Sequence, residues 1–248
     1  MNVSKAVLPC IVLLSLLQRS NSVQAATVSI HPAADTTLQE AYPTYNYGDG
    51  VSFTAGGRRQ GGRTRALLLF DIAGNIPAGS IINSVSLTLN VTAVPSGGLN
   101  STFDLNRLLA SWGEGNGSDH GGSPAGAGQV TWNNRFGTSG SPWSTSGGDF
   151  SSTTSASRSI AGLGSYTFAS TAGLVADVQA WLTSPASDFG WVLRSESEVT
   201  GTTIRRFGSR NSGASAPTLT ISYTSIPEPA TISILGLGLI LFHWRSKK

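Results

Sequence analysis

The sequence predicts an all-β protein: a jelly-roll-like antiparallel β-sandwich with one short helix, plus an N-terminal and a C-terminal hydrophobic helix. Three observations predict it. Apolar and polar residues alternate without a break over 85–93, the period of a strand with one face buried and the other in water. Residues 66–70, Ala-Leu-Leu-Leu-Phe, are apolar at every position, so this run is covered on both faces and lies centrally. Short β-prone runs recur between Gly, Pro and Asn turns, at 27–31, 36–39, 51–55, 103–109, 129–132, 189–194, 204–210 and 218–223. Roughly ten strands with long connections suit a jelly roll.

The helix is expected after Thr171, a residue able to cap it. Leu174, Val178 and Trp181 follow on one face, Val175 and Leu182 widen the stripe, and Pro185 limits the end. Trp181 and Trp191 read as core. Residues 75–79, Asn-Ile-Pro-Ala-Gly, read as a turn, and Asp71 as its cap. Two stretches read as irregular loops, Gly-rich 113–128 and Ser/Thr/Gly-rich 137–159; loops of that length tend to carry function or move.

Both ends read as address labels. Lys5, an apolar stretch over 6–17 and the small residues Ala25 and Ala26 have the order of a secretory signal peptide, with cleavage expected after Ala25. At the other end Pro227-Glu228-Pro229 precedes the apolar run 231–242 and a basic terminus, Arg245, Lys247 and Lys248. Twelve apolar-run residues fall short of the roughly 20 that a free-standing membrane span needs, and the cations favour the cytoplasmic side. This tail resembles the PEP-CTERM sorting signal of Gram-negative bacteria. The resemblance implies recognition by an exosortase-type membrane protease, transient insertion of 230–244 in the inner membrane, and a setting of exopolysaccharide production. The expected organisation is therefore signal peptide 1–25, one β-sandwich domain 26–225, and sorting segment 226–248.

Removing the labels changes the charge. Lys5, Arg19, Arg245, Lys247 and Lys248 are five of the 16 basic residues and Glu228 is one of the 13 acidic ones, which leaves 11 Arg against 12 carboxylates, a net charge of −1. The precursor's pI of 9.3 thus belongs to the labels and implies no nucleic-acid partner. The only cysteine is Cys10, inside the signal peptide, so the processed chain has neither disulfide nor thiolate.

Within the middle of the chain, Arg65 to Asp71, Ile76-Pro77-Ala78-Gly79, Arg107, Trp112-Gly113-Glu114-Gly115, Val130-Thr131-Trp132-Asn133-Asn134, Phe189-Gly190-Trp191 and Phe207-Gly208-Ser209-Arg210 follow in an order similar to that of a DNRLRE-type domain. That family is a secreted β-sandwich module related to carbohydrate-binding modules for acidic polysaccharides. This chain departs from it in having no Lys in the domain, and Asn211 where an acid is expected.

Candidate ligand contacts start with Arg58, Arg59, Arg63 and Arg65, spaced by Gly56, Gly57, Gly61 and Gly62. Guanidinium groups bind carboxylates bidentately, and the glycines would let a sugar approach the backbone. Trp143, beside Pro142 in a polar loop, is the tryptophan expected to be exposed, and Tyr45 and Tyr47, with Tyr42, form a second aromatic group. Glu196 and Glu198 are expected to pair across strands with Arg205 and Arg206.

No acid–base pair, Gly-x-Ser-x-Gly turn or zinc spacing stands out, so no catalytic residue is assigned and an enzyme is not expected. Asp35, Asn46, Asp49 and Asp119 are oxygen ligands of the kind a structural Ca²⁺ takes, without an EF-hand pattern, and no cofactor is indicated. The resulting expectation is an exported, non-catalytic surface or matrix protein that binds or organises polysaccharide. The alternatives are a matrix protein without a glycan site and a polysaccharide-degrading enzyme.

Overall fold

Among the residues described by the computed structural model (25–118, 121–137 and 140–226), the chain order is β1 (Ala25–Ile30), β2 (Ala34–Gln39), β3 (Tyr45–Asn46), β4 (Ser52–Gly57), β5 (Arg63–Leu69), β6 (Ile81–Ala93), β7 (Ser101–Leu108), β8 (Ser123–Pro124), β9 (Phe150–Ile160), β10 (Gly164–Phe168), α1 (Ala172–Thr183), β11 (Trp191–Ser195), β12 (Arg205–Gly208) and β13 (Thr218–Thr224). The class is all-β, mostly antiparallel sheet with a single short α-helix. The expected signal and sorting helices, with Pro227, Glu228 and Pro229, lie outside the described residues. Residues 24–226 form one compact unit.

One sheet is built on β6, which pairs with β13 and then β12 along one edge and with β10 along the other; β1 pairs with β13 and β4 with β12. The other sheet is β2-β5-β11-β7-β9. The chain passes between the sheets at β4, whose Gly56 and Gly57 pair with Thr64 and Arg63 of β5. Every pairing is antiparallel. Because Ala25 lies opposite Thr224, both chain ends leave the fold at the same end of the β1–β13 ladder.

The two inner faces share one core. Phe53, Leu68, Leu87, Leu89, Phe103, Leu105, Phe207 and Leu219 fill it, and α1 adds Leu174, Val178, Trp181 and Leu182. Thr171 caps α1 by accepting from Leu174 N at 3.1 Å, and the helix stops at Ser184, just before Pro185. Trp181 and Trp191 are both fully buried, with ring centroids 4.5 Å apart at 63°. The Trp191 indole donates to Asp177 Oδ2 at 2.8 Å, which satisfies its N–H without water.

The two-faced character of β5 has a direct structural cause. Ala66 and Leu68 point into the shared core, while Leu67 points to a second apolar cluster made by Leu38, Leu108, Val192, Val130 and the tryptophans Trp112, Trp132 and Trp143. The described residues of segment 109–149 supply those tryptophans and form a cap on the outer face of β5, β11 and β7, against Leu67, Val192 and Leu108. Asn46 pins the cap internally: its amide donates to Glu114 O and Val130 O at 2.7 and 2.9 Å, and its oxygen accepts from Gly48 N and Gly117 N.

Three sequence expectations are corrected here. Residues 150–159, placed in an irregular loop, belong to strand β9 (Phe150–Ile160). They carry few apolar side chains but extend β7 by hydrogen bonding. The strand β10 was not expected. Residues 129–132, expected as a strand, belong to the cap; Val130 and Trp132 are buried there without a ladder partner.

Candidate functional site

The strand alternation that sends Leu67 outward also sends Arg63 and Arg65 to the outer face of β5. There they meet the cap. Both pack against Trp132, with each guanidinium carbon 5.1 Å from the indole centroid. Beside this stack runs an open groove of about 750 Å³, whose lining includes Arg63, Arg65, Leu109, Arg135, Asp149 and Phe150.

Each groove arginine is held differently. Arg65 is buried; it donates to Glu198 Oε2 and Oε1 at 3.0 and 2.6 Å and to Gly147 O at 2.9 Å, and it lies 5.1 Å from the Phe150 ring centroid. Gly147 has φ +93°, and a Cβ there would come within 2.8 Å of Trp132 and of Arg65, so a side chain at 147 would break the stack. Arg63 is half-exposed and bidentate to Glu40, at 3.0 and 2.6 Å. That hydrogen bond holds the Glu40 carboxyl below its usual range and raises the Arg63 guanidinium. Arg135 lies 5.7 Å from the half-exposed Phe136 ring, and none of the ion pairs among the described residues involves it. Asp149, the one carboxylate among the described residues that line the groove, caps the turn by accepting from Ser144 N and Thr145 N, both at 2.9 Å.

The four arginines read together in the sequence therefore separate. Arg63 and Arg65 reach the groove. Arg58 bonds Gln39 at 3.3 Å and lies over the Tyr42 ring, and Arg59 is exposed at the hairpin tip. The expected role of the glycines is corrected at two positions. A Cβ on Gly57 would lie 2.0 Å from Thr200 O, and one on Gly56 would lie 2.7 Å from Ile204, so these glycines seat the 196–204 loop.

Trp143 is corrected as well. It is only 4% exposed and donates its indole N–H to Thr131 O at 3.0 Å inside the second cluster. Tyr47 is buried, and burial pushes its phenol up to about 12. Tyr45 is half-buried, with its ring 5.6 Å from that of Tyr42.

The expected pairing of Glu196 and Glu198 with Arg205 and Arg206 is corrected at two of its members. Residues 196–199 form a turn, and Glu198 crosses to Arg65. Arg205 is fully buried and donates to the carbonyls of Leu99, Ala161, Thr203 and Ile204, and burial lowers its pKa from the usual guanidinium value. Arg135, Leu109 and Phe150 were missed by sequence reasoning. The adjacency of Arg135 to Phe136 was the available signal.

A second polar cluster fixes the cap to the sandwich. Asp35, placed by β2, is 2% exposed and accepts from Arg210 N at 2.6 Å. Its own N–H donates to Glu114 Oε1 at 2.8 Å, and Arg210 holds Glu114 bidentately at 2.7 and 2.8 Å. Burial pushes the Asp35 carboxyl from 3.8 to about 7; Arg210 N–H opposes this, the Glu114 charge adds to it, and the Arg210 charge opposes it. Asp35 and Asn46 are thus spent on structure, and Asp119 lies outside the described residues. Among the described residues no cluster of three or more His, Cys, Asp or Glu could hold a metal ion.

The Asp35 shift has a sign that can be tested. An acid whose folded pKa is raised holds its proton more tightly when folded. The stability it lends below about 4 is therefore lost as pH rises toward 7. Asp188, pushed to about 7 by burial, acts in the same sense, so the comparison is between wild type and one variant. Asp35→Asn is expected to remove part of the decline. The unfolding free energy of wild type should fall relative to the variant between pH 4 and 7, by up to about 1.4 kcal/mol per pH unit. Denaturant titrations across that range check it; parallel curves contradict it.

Residues 225–248 match the PEP-CTERM protein-sorting motif. The chain is thus an exported protein with a C-terminal signal for an exosortase system. No curated protein matches the chain. Among the described residues no helix is long and apolar enough to cross a membrane.

Proposed function

We propose that the processed protein is a non-catalytic component of the cell surface or extracellular matrix that holds acidic polysaccharide in the groove beside β5. Segment 230–244 dwells in the inner membrane only until an exosortase-type protease releases the folded part. The observation that carries the ligand reading is Arg135: a guanidinium on the groove wall, 5.7 Å from the Phe136 ring, in a groove also lined by Leu109, which is 53% exposed. A uronate offers a carboxylate for the cation and C–H faces for the apolar surface. Arg63 adds a second cation that is already neutralised by Glu40, which favours one strong anionic contact with a polar flank. The motif order that resembles a DNRLRE-type module supports the same class of ligand.

One observation favours the alternative of a matrix protein without a glycan site. All five tryptophans of the folded part are buried, so none forms a stacking shelf.

Retention of the exported, signal-cleaved protein on acidic and neutral polymers separates the two readings. Binding should be confined to uronate-rich polymer and weaken with added salt. Arg135→Ala should reduce affinity about tenfold or more, while Arg158→Ala, on the exposed face of β9, should not. Equal retention of the Arg135→Ala protein sinks the groove assignment. Absence of salt-sensitive retention leaves the matrix reading.

A further inference from the structure

Strand β1 is an edge without protection. It pairs with β13 on one side, and no described strand pairs with the other. A bare edge offers a row of unpaired N–H and C=O groups, and proteins usually blunt it with charge, proline, a bulge or a covering element. The β1 sequence, Ala-Ala-Thr-Val-Ser-Ile, has no charge and no proline, and its register against β13 runs without a shift from Ala25 to Ile30. The edge strand β9 is treated differently: α1 packs on it, Thr171 Oγ1 donates to Ser155 O, and it carries Arg158.

The composition of β1 also fits itself. Cleavage after Ala25 leaves a five-residue strand, 26–30, whose centre is Val28. Antiparallel pairing of two such strands about a twofold axis at Val28 places Val28 against Val28, Ala26 against Ile30 and Thr27 against Ser29. The first two pairings continue the apolar inner face, on which Ile30 and Val28 already join the core. The third joins hydroxyls on the outer face, where Ser29 already bonds Thr220 at 3.0 Å. Every cross-strand pair is thus apolar with apolar or hydroxyl with hydroxyl, with no charge to repel.

We propose that the processed protein pairs with a second copy of itself through β1, making one continuous sheet across two molecules. A five-residue strand pair buries less than the roughly 1,000 Å² of a stable interface. The contact is therefore weak in dilute solution, and it gains where a common sorting signal concentrates copies at one surface.

The processed chain has no cysteine, since Cys10 leaves with the signal peptide, so single-cysteine variants report the contact directly. Val28→Cys should form a disulfide-linked dimer under mild oxidation at several-fold higher yield than Ser152→Cys, an exposed position on β9. Adding Thr27→Lys should suppress that dimer, because two cations would face each other diagonally about 7–8 Å apart. Sedimentation of the cysteine-free protein provides a second reading: Thr27→Lys should raise the dimer dissociation constant about tenfold. Equal crosslinking of Val28→Cys and Ser152→Cys, or a monomer at every concentration, overturns the proposal.

Discussion

Replacing Glu198 by Ala is expected to destabilise the fold by about 3–5 kcal/mol, because it leaves the buried Arg65 guanidinium without its counter-charge. Both side chains are under 10% exposed, and two of the three Arg65 hydrogen bonds go to Glu198. Gly147 O would remain as its one acceptor among the described residues, and a guanidinium only 7% exposed between the Trp132 and Phe150 rings gains little hydration in exchange for the lost carboxylate. For a chain of this size that loss is a fall in Tm of about 10 °C.

Replacing both partners by apolar residues of similar shape, Arg65→Met with Glu198→Leu, should recover most of the stability, since the cost lies in an unpaired buried charge. Denaturant unfolding of the three proteins measures both effects. A Glu198→Ala cost below about 1 kcal/mol, or a double variant as weak as the single one, would mean that this pair is hydrated and peripheral. The pair also joins three segments, β5, the 196–204 loop and, through Gly147, the cap. Its loss should therefore disorder the groove before the shared core.

The parts of the fold that were legible in the sequence are those whose side chains record their surroundings locally. Strand β6 alternates because one face is in the core and one in water. The unbroken apolar run in β5 records two cores, and the Thr171 cap with the Leu174–Val178–Trp181 stripe records α1. Strand β9 was illegible because hydrogen bonds to β7, together with contacts to α1, hold it in place; its Ser/Thr-rich sequence buries few apolar groups. Trp143 was misread for the converse reason. Its neighbours Pro142 and Ser144 are exposed, and only the fold of the cap over β5 and β11 shows that the ring turns inward.

The candidate site shows the same division. The four arginines were read as one cluster, whereas only Arg63 and Arg65, two apart on β5, share the strand face that meets the groove. Partner identity did not follow from sequence: Glu198 lies 133 residues from Arg65, nearer in the chain to Arg205, whose donors instead go to backbone carbonyls. Arg135 acquires its place only from the path of the cap.

The second large effect concerns the tail. The sandwich closes with its first strand on its last, and Thr224 stands only two residues before Ile226 and the Pro227-Glu228-Pro229 signal. Residues 25–226 are accordingly expected to keep their fold when the tail is cut away. Mass spectrometry of the protein recovered from the cell surface tests this most directly. The expected result is a chain beginning at Ala26 with no peptide beyond Pro229. Recovery of surface protein that retains the apolar run and the terminal lysines would contradict the account.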